Sequence, residues 1–161
     1  MNHHTKGLKI SSTLMNLSQI EKFVEEICDL YYLNDSYFGN ILVAVEEAVK
    51  NAIIHGNKNN INKSVIITYH TSSRGLTFRI EDEGEGFDYS IIPDLLECED
   101  SEVAKAGKGI FLIHALSDDV SYNDIGNSVE ITFDISSMYR ETTLSRINKL
   151  HQYFEKQKSL V

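Results

Sequence analysis

Two pairs of β-rich segments limit the folds open to this chain more than any other feature of its sequence. Residues 64–71, SVIITYHT, and 76–82, LTFRIED, are separated by SSRG, which predicts a β-hairpin. A second pair, DDVSYND and NSVEITFDI, is joined around residues 125–126 and predicts another hairpin. Because hairpin strands run antiparallel, the predicted sheet is mixed but mostly antiparallel.

The segments around these hairpins predict helices. A short strand is predicted over residues 7–14, and the capping-box pattern SQIE opens a predicted helix over 18–32. Residues 87–106 show no long periodic pattern and are predicted to form a functional loop with one helical turn, before a short helix over 110–116. With the long helix described below, the order is β-α-α-β-β-loop-α-β-β. This order predicts an α+β fold, a two-layer α/β sandwich with the helices on one face of the sheet.

The length of 161 residues fits one domain, which we place over residues 1–136. Residues 137–161 predict a separate amphipathic helix, whose apolar stripe is Leu144, Ile147, Leu150 and Phe154. Packing on its own domain and contact with a partner or second copy both stay open for this helix.

The formal net charge of −9 disfavours direct binding to nucleic acid or an anionic membrane surface. It favours a basic protein partner instead. The two isolated cysteines fit reduced thiols, and no apolar run approaches the roughly 20 residues of a membrane helix. We therefore expect a cytoplasmic protein.

The segment FGNILVAVEEAVKNAIIH predicts a helix over about residues 38–56. Asp35 or Ser36 is expected to cap its first turn, because short polar side chains accept hydrogen bonds from free backbone N–H groups. Gly56 is placed to end it.

One face of this helix mixes polar and apolar side chains. At 100° per residue, Glu47, Asn51 and His55 form a stripe opposite the predicted core face. Most such stripes are simply solvated. Val43 and Ile54 lie in the same arc, however, and a freely exposed face is seldom so apolar. The pattern favours a helix face that lines a cleft.

The polar pair on this face suits phosphoryl chemistry. The carboxylate of Glu47 can take a proton from an attacking hydroxyl group or water. The amide oxygen of Asn51, one turn away, can bind Mg²⁺, which keeps several waters and takes phosphate oxygens as ligands. Glu46 is the competing base, about 100° away around the helix. His55 can instead complement the helix dipole.

The stretch EDEGEGFD combines five carboxylates with two glycines. Asp82-x-Gly84-x-Gly86 directly follows a predicted strand. An ordinary turn and a calcium loop are the alternatives, and the spacing does not match an EF-hand.

A second glycine segment, Gly107-Lys108-Gly109, opens the predicted helix over 110–116. Free N–H groups at a helix N-terminus attract anions, and Lys105 and Lys108 add positive charge. The spacing is not that of a Walker A loop. The specificity therefore lies in the order of the motifs along the chain.

In that order, EEAVKNAIIHGN, DEGEGFD and GKGIFLIHALSDDVSY resemble the N box and the two glycine boxes of the Bergerat-fold (GHKL) ATP-binding domains. The likeness is closest to the bacterial anti-sigma factors that are also serine-protein kinases, and it covers residues 8–135. It implies ATP and Mg²⁺ as cofactors, and a sigma factor and an anti-anti-sigma (STAS-type) protein as partners. It also implies a homodimer.

The resemblance implies a role for each matching residue. Glu47 would be the general base, Asn51 would hold Mg²⁺, and Asp82 would accept a hydrogen bond from the adenine 6-amino group. The other implied nucleotide-binding residues are Gly84 and Gly86 under the base, Gly107, Lys108 and Gly109 at the phosphates, Lys105 near the γ-phosphate, and Ser128 at the adenine site.

This sequence departs from the family pattern at several points. Lys105 stands where an arginine is common, and a lysine cannot make a bidentate phosphate contact. Ser128 stands where a threonine is common and keeps the hydroxyl group. The acidic segment ECEDSE, within a predicted ATP lid over residues 88–106, is a further departure.

The leading hypothesis is an ATP-dependent anti-sigma factor with serine/threonine kinase activity. A non-catalytic ATP-binding module that switches partner affinity is the main alternative. A histidine-kinase catalytic domain is disfavoured because the first predicted helix carries no histidine. A gyrase-type ATPase is disfavoured by the lack of a transducer domain.

Overall fold

The computed structural model describes residues 7–91 and 101–136, with the backbone alone described over 101–106. Five strands form one sheet in the order β1-β2-β3-β5-β4, and each pair of neighbours is antiparallel. The strands are β1 (Gly7–Ser11), β2 (Ser64–Ser72), β3 (Gly75–Asp82), β4 (Asp119–Tyr122) and β5 (Ser128–Phe133). The predicted α+β two-layer fold is confirmed, with an antiparallel rather than a mixed sheet.

In the described part of the chain, three α-helices accompany the sheet: α1 (Leu17–Leu30), α2 (Asp35–Asn51) and α3 (Ser101–Leu116). A π-helical turn, Ala52–Gly56, extends α2, and 3₁₀ turns lie at Leu14–Asn16 and Tyr89–Ile91. Among the described residues, no helix is both long and apolar enough to cross a membrane.

The core lies between the helices and one face of the sheet. Strand β2 alternates between buried and more exposed side chains, as expected for a sheet covered on one side. Its buried Tyr69 lies opposite Phe78 of β3, which in turn lies opposite Ile131 of β5. The helices add apolar residues at helical spacing, among them Ile20, Val24 and Ile27 of α1 and Ile41, Val45 and Val49 of α2.

The predicted starts of the first two helices are wrong by a few residues. Ser18 does not cap α1, because a 3₁₀ turn capped by the Thr13 side chain already leads into that helix. Helix α2 is capped by Asn34, whose Oδ1 accepts a hydrogen bond from Tyr37 N at 3.1 Å. Asp35, a predicted cap, lies in the first turn, where a carboxylate complements the helix dipole.

Helix α3 differs most from the prediction. It begins at Ser101, although the sequence pattern suggested a start at 110. Glycine costs a helix about 1 kcal/mol relative to alanine, but the preceding EVAKA contains good helix formers. Contact with α2 adds tertiary stabilisation. The predicted single helical turn in the loop is present at Tyr89–Ile91.

Some predictions lie outside the described residues. These are the amphipathic helix over 137–161, most of the acidic segment ECEDSE, and the Lys105 side chain.

Candidate functional site

A cavity of about 230 Å³ lies between the end of α2, helix α3, and strands β3 and β5. Apolar side chains form much of its wall, including Ile80, Ile113 and Val129. Of the residues predicted for the site, Asn51, Asp82, Gly86 and Ser128 border the cavity. A mostly apolar cavity with a few polar groups is typical of a small-molecule site.

Asp82 ends β3 and turns its carboxylate into this cavity wall. Its Oδ1 accepts a hydrogen bond from Gly84 N at 2.7 Å. Burial raises the pKa of Asp82, and the Gly84 hydrogen bond opposes that rise in part. A Cβ atom at Gly56 or at Gly84 would overlap the carboxylate. Glycine at both positions therefore makes room for Asp82.

The Asp82–Gly84 turn is stabilised by hydrogen bonding to Asn57, a residue to which the sequence reasoning assigned no role. The Asn57 side chain is 1% exposed, and its Oδ1 accepts a hydrogen bond from Glu83 N at 2.9 Å. Its Nδ2 donates to Ser12 Oγ at 2.7 Å and to Ser64 O at 2.9 Å. One buried amide thus joins the ends of β1, β2 and β3 beside the site.

Two glycines join the loop after β3 to the loop before β5. Gly86 and Gly126 have positive φ angles of 81° and 76°. A Cβ atom on Gly86 would collide with the Ile125 carbonyl, and one on Gly126 would lie 2.8 Å from Phe87 N. Both loops can approach this closely only because the side chains are absent. The sequence reasoning assigned Gly86 to the site but not Gly126.

The three residues of the polar stripe do not all face the cavity. Asn51 and His55 border the cavity, and the π turn carries His55 there. π-helical turns are rare in proteins, and those that occur often lie at functional sites. Glu47 does not border the cavity among the described residues. Its Oε1 pairs with Lys50 Nζ at 2.8 Å, and a Cβ atom on Gly109 would lie 2.8 Å from its Oε2.

Glu46, the competing base, lies away from the cavity wall. Burial is the largest cause of its raised pKa, and the neighbouring Lys50 opposes the rise.

Ser128 is buried at the start of β5, and its hydroxyl accepts a hydrogen bond from Arg79 Nε at 3.1 Å. Asn123 Oδ1 accepts from the backbone N–H groups of both Asn127 and Ser128, at 3.0 and 3.1 Å. Asp82 N in turn donates to Asn127 O at 3.0 Å. This end of the cavity is therefore rigidly connected to the Asp82 turn.

The second glycine segment is not a helix N-terminus in this structure. Gly107, Lys108 and Gly109 lie inside α3, so the prediction that they open the helix is wrong. Backbone N–H groups inside a helix bond to carbonyls one turn earlier. Lys108 is exposed, and none of the three borders the cavity. Their role at phosphates stays a prediction, as does that of Lys105.

Several cavity residues lie within the quoted motifs, but the sequence reasoning assigned them no role. Phe87, Tyr122 and Ile110 come from three different elements and meet only in the fold. Asn127 and Gly126 had a weak signal, because they belong to the turn of the second hairpin.

The donor set decides which metals fit here. Among the described residues no group of three or more His, Cys, Asp or Glu side chains could hold a metal ion. An ion at Asn51 would therefore need ligands from a bound molecule and from water. Mg²⁺ bound to phosphate oxygens meets that condition.

The family model of the histidine kinase-like ATPase domain matches residues 10–133. This chain belongs to that family. The match covers every strand from the end of β1 to β5, and thus the whole cavity wall described above.

Two similar proteins are named as serine-protein kinases. "Serine-protein kinase RsbW" of Listeria innocua is 32% identical over 115 residues, 68% of this chain and 73% of the relative. The protein of the same name in Staphylococcus aureus is 32% identical over 97 residues, 56% of this chain and 61% of the relative.

A crystal structure of the RsbU and RsbW domains of Rv1364c from Mycobacterium tuberculosis matches with a TM-score of 0.53 at 15% identity. The match covers 80% of this chain and 32% of that one. At this identity the comparison supports the fold alone.

Proposed function

We propose that this chain is an ATP-dependent serine/threonine-protein kinase that also acts as an anti-sigma factor. It would sequester a sigma factor and phosphorylate a small STAS-type antagonist on a hydroxyl side chain. The observation that carries the proposal is the cavity between Asp82 and Asn51, with Glu47 one helical turn beyond Asn51. The relatives named as serine-protein kinases support the choice of reaction.

The Asp82 end of the cavity suits an adenine base. A carboxylate oxygen accepts a hydrogen bond from an exocyclic amino group, and apolar walls suit a flat ring. Gly84 and Gly86 let the backbone pass close to the base. Ser128 also borders the cavity, but its hydroxyl group is bonded to Arg79, and the register places its side chain on the sheet face of Glu81.

The Asn51 end would hold the phosphates. Asn51 supplies one oxygen ligand for Mg²⁺, which would offset the charge of the phosphate oxygens when bound. Glu47 would orient the attacking hydroxyl group and accept its proton. Lys105 and Lys108 would add positive charge, and the backbone of Gly107 and Gly109 would contact the phosphates once the first turns of α3 unwind.

The test is phosphate transfer from Mg-ATP to a STAS-type antagonist domain from the same organism. We expect Glu47→Gln to lower transfer by about 10² to 10⁴-fold, the range of a general base, while ATP still binds. Glu46→Gln is the matched control, because it removes a neighbouring carboxylate that lies about 100° away around the helix, and it should change transfer little. If Glu46→Gln abolishes transfer and Glu47→Gln does not, the assignment of the base is wrong. If the wild type transfers no phosphate, the kinase proposal fails.

One observation favours a second function, an ATP-binding module that switches partner affinity without catalysis. The Glu47 carboxylate is paired with Lys50 and lies against α3 in this conformation, and it does not border the described cavity wall. ATP binding without turnover in the presence of both partners would support this alternative. The net charge of −9 fits a basic partner surface under either function.

A further inference from the structure

Tyr122 borders the cavity, and none of the roles assigned above uses it. It is the last residue of β4, and its backbone is fixed opposite Val129 of β5. Val129 in turn lies opposite Ile80 of β3, two residues before Asp82, so Tyr122 and Asp82 lie near each other across the sheet.

Two other aromatic rings hold the Tyr122 ring. Tyr89 stacks on it with ring centroids 5.7 Å apart and an angle of 10° between the planes. Phe87 meets it edge-on at 5.4 Å and 88°. Both the stacked and the edge-on arrangement are favourable for aromatic rings at these distances. Tyr89 does not border the cavity, so the stacked face of Tyr122 points away from it.

The Tyr122 hydroxyl group has no protein partner among the described residues. Burial alone raises the pKa of Tyr122 to about 12, with no hydrogen bond contributing to the rise. Within residues 7–91 and 107–136, every fully buried side-chain oxygen or nitrogen has a hydrogen-bond partner. The unpartnered Tyr122 hydroxyl oxygen is therefore reachable by solvent. A ligand that displaces water from this hydroxyl group must replace the lost hydrogen bond, because losing hydration without a new partner is costly. A ligand that fills the cavity can supply that partner.

We propose that Tyr122 is a further nucleotide-binding residue, whose hydroxyl group donates a hydrogen bond to a ring nitrogen of the bound base. This inference rests on the proposed function, since the base is that of ATP. Asp82 offers an acceptor and Tyr122 a donor at one end of the cavity. That pair matches the amino group and the ring-nitrogen acceptors of adenine. The stack on Tyr89 fixes the direction of the hydroxyl group.

The test compares ADP binding by calorimetry for the wild type, Tyr122→Phe and Tyr32→Phe. Tyr122→Phe keeps both ring contacts and removes only the hydroxyl group. We expect affinity for ADP to fall about three- to tenfold, as for the loss of one neutral hydrogen bond. Tyr32, which is 87% exposed and lies outside the cavity, is the matched control and should bind as the wild type does.

Tyrosine fluorescence gives a second readout that a purely structural role would not move. The chain has eight tyrosines and no tryptophan, so ADP contact with Tyr122 changes a signal that only tyrosines produce. Tyr122→Phe should lose part of the ADP-induced change, and Tyr32→Phe should keep all of it.

The role of Tyr89 is tested by a double-mutant cycle with Tyr89→Leu. If the stack positions the hydroxyl group, removal of that group costs less in the Tyr89→Leu background. Simply additive losses would contradict the positioning role. Unchanged ADP affinity in Tyr122→Phe would overturn the inference while leaving the proposed function intact. A wild type that binds no ADP would instead refute the proposed function, and the inference with it.

Discussion

Gly109 is the position where helix α3 comes closest to the proposed base. A Cβ atom there would lie 2.8 Å from Glu47 Oε2 and 3.6 Å from Asn51 Oδ1, whereas ordinary contact begins at 3.4 Å. Gly109→Ala must therefore move the Glu47 carboxylate. Gly39→Ala is the matched control, because Gly39 also lies within a helix, and a Cβ atom there meets nothing within 4 Å.

The two substitutions should differ in stability. Gly39→Ala is expected to raise the free energy of unfolding by about 0.5–1 kcal/mol, the difference in helix propensity. Gly109→Ala gains the same propensity but displaces Glu47 from Lys50. A partly exposed pair of this kind contributes about 0–1 kcal/mol, so the net gain should be smaller and close to zero. Denaturant unfolding of both variants measures the difference.

Gly109→Ala should also lower phosphate transfer at least tenfold, since general-base catalysis contributes about 10² to 10⁴-fold and depends on position. Gly109→Ala also strengthens α3, and slower unwinding of this helix would lower transfer without any effect on Glu47. The variant is therefore combined with Glu47→Gln to separate the two causes. If the loss acts through Glu47, the double variant transfers no less than Glu47→Gln alone. Equal stabilisation by both alanines, with transfer unchanged, would refute the close packing of Gly109 on Glu47.

Two further predictions concern the Asp82 turn. Asn57→Ala should destabilise the fold by about 2–4 kcal/mol and weaken ADP binding, because it leaves the Glu83 N–H without an acceptor and opens a cavity. Denaturant unfolding measures the stability, and calorimetry measures the binding. Unchanged stability would show that the Asn57 amide is replaceable. Asp82→Asn should weaken ADP binding about ten- to a hundredfold, as for a hydrogen bond to a charged group. Burial raises the pKa of Asp82 in the folded state, so the protonated carboxyl group is favoured by folding. The stability that this protonated group contributes is fully present below the pKa of Asp82 in the unfolded chain. It is lost as pH rises through the pKa of Asp82 in the folded protein. Asp82→Asn should therefore be more stable than the wild type at neutral pH and lose that advantage near pH 3.9, the pKa of an unfolded aspartate. An advantage that does not change with pH would contradict this explanation.

Local sequence patterns predicted much of the fold correctly. Both hairpins and the core face of α2 depend on periods of two and 3.6 residues, which neighbouring side chains display directly. The five acidic residues of EDEGEGFD show where such reasoning stopped. Glu83 and Glu85, which stand between the three named positions of the motif, are exposed. The structure adds that Glu81 pairs with Arg79 at 3.4 Å, and that Asp88 accepts hydrogen bonds from Ser90.

The positions that sequence reasoning misjudged are those that depend on contacts between distant segments. The start of α3 was placed at its glycines, which are poor helix formers, but helix-forming residues before them and packing on α2 extend the helix to Ser101. Asn57 looked like a loop residue after Gly56, and only the approach of three strand ends makes it a buried junction.

The sequence by itself determined the kind of fold and the order of its site motifs, because hydrophobic periodicity and glycine turns are local properties. The tertiary structure alone decided how these motifs meet. It brought Tyr122 and Phe87 to the cavity beside Asp82, and it set Gly109 against Glu47. Such contacts join residues far apart in the chain, and they follow from strand register and helix packing, which no single segment encodes.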